Sequence, residues 1–230
     1  MSTAQTLNGA FAAVSNLDPG PARGAFVFDT PFADLNLAVA TQSGANISIA
    51  PNFNFYADNP GDAFWRDNGG AGPGGNKWVD MSAFENTLVL GTGTMSEQTF
   101  TACVNSNTLA SGYTTTAFIR VFAEDYSALF GEVTAPATGS IELSIPLAGD
   151  VNVQVQKGFL TSGPNANPAD AATVGTVEVT VGAACAAAAP AAGSGGPVSN
   201  VPVLPIWALV LLAGVVGLFG ARTAAGRKRG

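Results

Sequence analysis

Aromatic and polar side chains crowd into one Gly-rich segment, residues 59–76, and into the two residues after it. Indole rings stack on the apolar C–H faces of sugars, while charged and amide groups form hydrogen bonds with sugar hydroxyls. The candidate ligand-binding side chains are Trp65, Arg66, Asp67, Asn68, Lys77 and Trp78. Both tryptophans also suit a second role, as core side chains at the base of a long loop, so the two roles stay open.

Acid–base catalysis in this chain would rest on carboxylates, because the chain has no histidine. That absence excludes Ser-His-Asp and Cys-His arrangements and most transition-metal sites. The candidate glycosidase pairs are Glu124 with Asp125 and Glu142 with Asp150, yet side chains of sequence neighbours point to opposite sides of a strand. We therefore expect no catalytic residues and no enzyme activity, and a carboxylate-based hydrolase is the least favoured hypothesis.

Four aspartates in or near the same segment offer oxygen ligands to a Ca²⁺ ion: Asp58, Asp62, Asp67 and Asp80. Their spacing is not that of an EF-hand, and aspartate is common in turns, so turn-forming and solvated roles are favoured. We expect no metal site and no cofactor, with a structural Ca²⁺ ion as the open alternative.

The two cysteines, Cys103 and Cys185, match no CxxC or metal-binding spacing. An even number of cysteines in an exported chain is compatible with one disulfide. The alternative is one buried strand cysteine and one unpaired linker cysteine, and the sequence leaves both open.

Short β-patterned runs separated by Gly, Pro, Asn and Asp fill residues 24–181, which predicts a single β-sandwich with little helix. Predicted strands cover residues 24–30, 35–41, 46–57, 76–84, 99–106, 116–124, 141–145, 151–156 and 176–181. The run at 116–124 is nearly all apolar and predicts a central strand. Residues 80–90 have the pattern for a helical turn or two. Long loops are expected at 59–76 and 161–173, with Gly163-Pro164 setting a bend and Asn165 in a turn.

Charge divides the chain in two. All 16 acidic residues and only five basic ones precede position 200, so this body carries −11, whereas the four remaining basic residues follow position 221. A body without a stripe of Lys and Arg cannot neutralise phosphates, and we expect no nucleic-acid partner.

The last part of the chain has the composition of a membrane anchor. Residues 183–200 are almost entirely Ala, Gly, Pro and Ser, which predicts a flexible linker. Residues 204–221 form an uncharged run of 18 residues, about the minimum for a transmembrane helix. Basic residues follow at once, so the positive-inside rule places the C-terminus in the cytoplasm and the acidic body outside the membrane.

This order of linker, Pro-containing lead-in, apolar helix and basic end resembles the PEP-CTERM and IPTL-CTERM sorting signals of exported bacterial proteins. Residues 201–204, Val-Pro-Val-Leu, are similar to the Ile-Pro-Thr-Leu signature, while Pro205 and Ile206 differ from its usual Ser-Glu pair. The resemblance implies that an exosortase-type membrane protease processes the tail. The residues that carry it are Val201, Pro202, Leu204, Pro205, Trp207, Arg222, Arg227, Lys228 and Arg229.

Residues 100–127 and 155–169 resemble the β-sandwich ectodomains that often precede such tails, whose layout is similar to galactose-binding-like modules. The resemblance implies a jelly-roll-like fold and an extracellular location. The expected divisions are a β-sandwich ectodomain at residues 1–182, a linker at 183–200 and a sorting segment at 201–230. Within that segment the transmembrane helix covers about 204–221 and the basic tail 222–230.

The first 16 residues contain neither a basic n-region nor an apolar h-region, so they do not form a secretory signal peptide. Either a leader precedes this sequence, which we favour, or export relies on the C-terminal helix. The expected function is structural or adhesive, in a cell-surface or extracellular-matrix protein that is attached or released after processing. A module that binds external polysaccharide is the alternative.

Overall fold

Alternating apolar and polar residues in this chain form strands whose apolar sides meet in one core. The computed structural model describes residues 5–18, 22–32, 35, 38–66 and 74–186, all of which belong to one unit, Met1–Ala186. Within these residues the strands form two antiparallel sheets, the arrangement of a β-sandwich. The predicted all-β fold is confirmed to that extent.

The described strands in chain order are β1 (Gly9–Asp18), β2 (Ala22–Phe32), β3 (Ala40–Ser43), β4 (Asn46–Ile49), β5 (Gly74–Val89), β6 (Ser96–Asn107), β7 (Thr114–Ala123), β8 (Leu129–Pro136), β9 (Ser140–Leu147), β10 (Val153–Ala166) and β11 (Val177–Val181). Short helices α1 (Asn54–Ala57) and α2 (Ala171–Val174) and a 3₁₀ turn, Pro168–Asp170, lie in the connections. Sheet A has the order β2-β1-β5-β10-β7-β8, and sheet B has the order β3-β4-β11-β6-β9.

Strands β4 to β11 pair like one long hairpin that is folded over on itself. Its innermost pair is β7 with β8, followed outwards by β6 with β9, β5 with β10 and β4 with β11. Successive pairs fall alternately in sheet A and sheet B. Strands β1 and β2 extend sheet A beyond β5, and β3 extends sheet B beyond β4.

The core lies between the facing sides of the two sheets. Sheet A contributes Ile119 and Phe159, and sheet B contributes Ile47, Phe100 and Val179, all of them buried in one cluster. The rings of Phe100 and Phe159 meet edge to face with their centroids 5.4 Å apart, a contact that joins the sheets directly.

Cys103 in β6 and Cys185 after β11 form a disulfide, with their Cα atoms 4.6 Å apart. The backbone N–H of Cys185 also donates to the hydroxyl of Ser140 at the start of β9 over 2.9 Å. The segment that follows β11 is thereby fixed to β6 and to β9 of sheet B. Of the two alternatives for the cysteines, the structure shows the bridge.

Most of the predicted strands are confirmed, including those within β2, β5, β6, β9 and β11. Strand β7 lies between β10 and β8, the interior position that its apolar sequence predicts. The predicted helical turn at residues 80–90 is wrong, because β5 continues to Val89. The predicted transmembrane helix at 204–221 lies outside the described residues, and no helix among those described is both long and apolar enough to cross a membrane.

Two predicted strands are shorter than expected. Among the described residues of that run, Leu35, Ala38 and Val39 lie in turns rather than in a strand, and β3 begins at Ala40. Strand β4 ends at Ile49 because Pro51 has no N–H for a ladder hydrogen bond. Asn52 then accepts a hydrogen bond from the N–H of Phe55 through Oδ1, and the chain enters α1.

The predicted loop at residues 161–173 is wrong over its first half. Strand β10 continues to Ala166, and Gly163 and Pro164 pair with residues of β5 rather than forming a bend. Gly163 is required there because a Cβ atom would run into the ring of Tyr113. Strands β1 and β8 are not among the predicted strands.

The disulfide yields a stability prediction. Replacing both cysteines with serine should lower the free energy of unfolding by about 4 kcal/mol, because the bridge closes a long loop in the unfolded chain. The measurement is urea unfolding of the oxidised protein and of the Cys103→Ser/Cys185→Ser variant. Thiol titration of the denatured, unreduced protein is the control, and two free thiols would show that the bridge is absent.

Candidate functional site

Trp65, the first aromatic residue of the predicted site, is withdrawn from solvent. Only 8% of it is exposed, and its indole stacks on Phe55 with ring centroids 4.4 Å apart. Phe28 and Phe64 contact the same indole edge to face, at 5.9 and 4.9 Å. These four residues form an aromatic cluster, so the structure places Trp65 in the core role of the two that the sequence left open.

Asn165 fixes this cluster to the start of β5. Its side chain is fully buried, accepts from the N–H of Lys77 over 2.9 Å and donates to the carbonyl of Trp65 over 2.8 Å. Gly75 gives it space, because a Cβ atom at that position would overlap the Asn165 amide. The prediction that Asn165 lies in a turn is wrong, since Asn165 lies in β10 and its buried side chain joins Lys77 to Trp65.

Lys77 and Trp78 are successive residues of β5, so their side chains lie on opposite faces of sheet A. The Lys77 amino group lies 4.1 Å from the centroid of the Phe64 ring. Burial lowers the pKa of Lys77, and the negative charge of Asp62 opposes that shift. On the other face, Trp78 Nε1 donates to Asp80, which pairs with Arg23 at 3.1 Å.

The predicted ligand-binding residues therefore do not share one surface. Arg66 uses its guanidinium group to donate twice to the carbonyl of Tyr56, at 3.0 and 2.7 Å, and lies over the Tyr56 ring. Asp67 and Asn68 lie outside the described residues. The described members of the set are thus divided between the aromatic cluster and the outer face of sheet A.

Several of the carboxylates considered for metal binding or catalysis form hydrogen bonds within the protein. Asp62 Oδ1 accepts from the N–H of Phe64, and hydrogen bonds from the side chain and backbone of Ser127 lower the pKa of Asp125. Glu124 accepts from Asn152 over 3.0 Å. Within the described residues, no three acidic or cysteine side chains are grouped for a metal ion. Asp67 lies outside them.

The outer face of sheet A holds a cleft of about 650 Å³, which is not among the sites predicted from the sequence. Its volume lies within the range of about 300 to 1,000 Å³ that is usual for ligand pockets. The cleft is lined by Asn8, Gly9, Ala10, Phe11, Phe84, Asn86, Arg120, Phe122, Tyr126, Leu129 and Gln156. We call it the sheet A cleft.

A polar row crosses the sheet A cleft from strand to strand. Gln156 of β10 pairs in register with Asn86 of β5 and with Arg120 of β7, and Arg120 pairs with Glu132 of β8. Arg120 Nε donates to the Glu132 carboxylate over 2.7 Å and its guanidinium lies 4.1 Å from the centroid of the Phe118 ring. The guanidinium is thus fixed in position and its charge is compensated.

Aromatic side chains flank this row on both sides. Phe84 and Phe118 lie 6.4 Å apart on one side. Phe122 and Tyr126 lie 5.7 Å apart on the other, and the Tyr126 hydroxyl donates to Asn86 over 3.0 Å. Phe122 and Tyr126 thus present apolar ring surface beside amide groups, the mixture that the sequence predicts near Trp65.

No protein-family model, curated protein or solved structure matches this chain. Its site is therefore inferred from its own residues. One signal in the sequence pointed to the cleft: Arg120 is the lone charged residue of an otherwise apolar run, at a position that alternates with Phe118 and Phe122.

The role of Asn165 can be tested by substitution. Asn165→Ala should lower the free energy of unfolding by about 2 to 3 kcal/mol, because it leaves a buried N–H and a buried carbonyl without partners. The matched control is Asn105→Ala in β6, whose exposed side chain donates to Thr180 and whose loss should cost about 0.5 kcal/mol or less. If urea unfolding gave the same loss of unfolding free energy for both variants, the hydrogen bonds of Asn165 would not stabilise the fold.

Proposed function

We propose that this chain is an exported, membrane-sorted protein of the cell surface or extracellular matrix, with a structural or adhesive role. The disulfide between Cys103 and Cys185 is the observation that carries the proposal. Disulfides form and persist in oxidising compartments outside the cytoplasm. This one ties β6 to Cys185, near the start of the Ala- and Gly-rich linker that is predicted at residues 183–200 before the membrane helix.

A jelly-roll ectodomain is part of the proposal. Its support is the nested pairing of β4 to β11, in which successive strand pairs alternate between the two sheets. That order is the one obtained when a long antiparallel hairpin wraps into two sheets. The three further strands β1, β2 and β3 are additions at the sheet edges.

The second candidate function is a carbohydrate-binding module for external polysaccharide. The mixed aromatic and amide lining of the sheet A cleft favours it. The residues near Trp65 support it less, because their polar groups are already engaged within the protein.

The sorting proposal predicts the chemical end of the mature protein. In a host that has an exosortase-type enzyme, the surface-exposed form should lack Arg222, Arg227, Lys228 and Arg229. Mass spectrometry of the C-terminal peptide measures this. A surface form that still ends in the basic residues would contradict processing, while leaving a permanent membrane anchor possible.

Membrane retention can be tested separately with Val215→Arg. A charge at the centre of the span costs about 2.5 to 3.5 kcal/mol on insertion scales, so this variant should move from the membrane to the medium. Val215→Leu is the matched control and should stay in the membrane fraction. Equal retention of the two variants would contradict the assignment of residues 204–221 as the anchor.

A further inference from the structure

Gln156 is a buried polar side chain in the sheet A cleft that has no hydrogen-bond partner among the described residues. Only 9% of it is exposed. The described polar atoms that are both sealed from solvent and without a partner belong to Gln5, Asn52 and Tyr113, and not to Gln156. The Gln156 amide therefore reaches solvent through the cleft, with a free donor and a free acceptor.

The neighbours of Gln156 hold the amide in position without using its hydrogen-bonding capacity. Asn86 is engaged by the hydroxyl of Tyr126 and donates to Gln154. Arg120 is engaged by Glu132 and by the hydroxyl of Ser82. A ligand in the cleft therefore meets a preorganised row in which the central group lacks partners.

The charge balance of the cleft selects against ions. Arg120 is the one charged residue among the described lining residues, and it lies 2.7 Å from the Glu132 carboxylate. A phosphate or carboxylate ligand would need an uncompensated cation, and the acidic body would repel it. A purely apolar ligand would bury the Gln156 amide without partners, which is also costly.

A neutral sugar satisfies both conditions. Its vicinal hydroxyls can donate to and accept from one amide, and its C–H faces can pack on the aromatic side chains at the sides of the cleft. Phe11, Phe122 and Tyr126 supply those surfaces. We propose that the sheet A cleft binds neutral pyranose units of an external polysaccharide, with the Gln156 amide bonded to adjacent sugar hydroxyls.

This inference rests on the second candidate function, carbohydrate binding, and does not depend on export or processing. The full-length chain should be studied in a detergent that has no sugar headgroup. The probes are neutral tetrasaccharides of glucose, mannose, galactose and N-acetylglucosamine, with a galacturonate oligomer as the acidic counterpart. At least one neutral probe should bind with a dissociation constant of about 1 mM or tighter. It should also shift the NMR signals of the Gln156 side-chain amide.

Two cleft variants and one control locate the binding. Gln156→Leu keeps the volume of the side chain but removes its amide, and Tyr126→Ala removes a ring from an exposed loop position, where folding is little affected. Each should weaken binding by about tenfold or more. Ser162→Ala lies on the same strand and face, about 20 Å from Gln156 at the usual rise per residue, and should bind like the original protein.

The charge argument has its own variant. Glu132→Gln removes the counterion of Arg120 and should raise the affinity for the galacturonate oligomer by about tenfold, whereas the unmodified protein should prefer neutral probes. No binding of any neutral probe would overturn both the inference and the second candidate function. Sugar binding that the two cleft variants leave unchanged would overturn the inference alone. Preference of the unmodified protein for galacturonate, or no gain in Glu132→Gln, would overturn the assignment of a neutral ligand.

Discussion

Strand β10 is the element on which the rest of the described structure depends. It pairs with β5 along most of its length and with β7 over its first ten residues, so it is interior to sheet A. Phe159 on its inner side contacts Phe100 of sheet B and joins the two sheets. Gln156 on its outer side lies in the middle of the cleft, and Asn165 near its end holds the aromatic cluster. Core, cleft and loop are thus positioned by one strand.

The floor of the cleft requires two residues without side chains. A Cβ atom on Gly158 would collide with the backbone of Ala83 and Phe84, and one on Gly9 would collide with the Phe84 ring. Phe84 can therefore lie close to the sheet beside Phe118, and both are buried on the face of sheet A that lies away from the main core. Glycine within a strand weakens the strand, and the packing of Phe84 beside Phe118 compensates for that loss at Gly9 and Gly158.

Strands that have one side in the core and the other in water are predicted from the sequence. Strand segments without that alternation of apolar and polar residues are not. Strands β9 and β11 alternate between apolar and polar residues because one side is in the core and the other in water. The end of β10 contains Gly163, Pro164 and Asn165, which have the composition of a turn, yet contacts with β5 hold them extended. Arg120 stands out in its apolar run, but the cleft around it could not be predicted, because Asn86, Arg120 and Gln156 meet only through strand pairing between distant parts of the chain.

The two aromatic regions, around Trp65 and in the sheet A cleft, differ in whether their polar groups have hydrogen-bond partners. Around Trp65, the Asn165 amide bonds to two backbone groups, and Arg66 bonds to the Tyr56 carbonyl. Ligand binding there would have to displace contacts that stabilise the fold. In the sheet A cleft, Asn86 and Arg120 are held by neighbours while the Gln156 amide is left without one, so a ligand adds hydrogen bonds and removes none. Trp65 in its Gly-rich segment thus belongs to the packing of the domain, and the unpartnered Gln156 amide between aromatic rings is where we propose that a ligand binds.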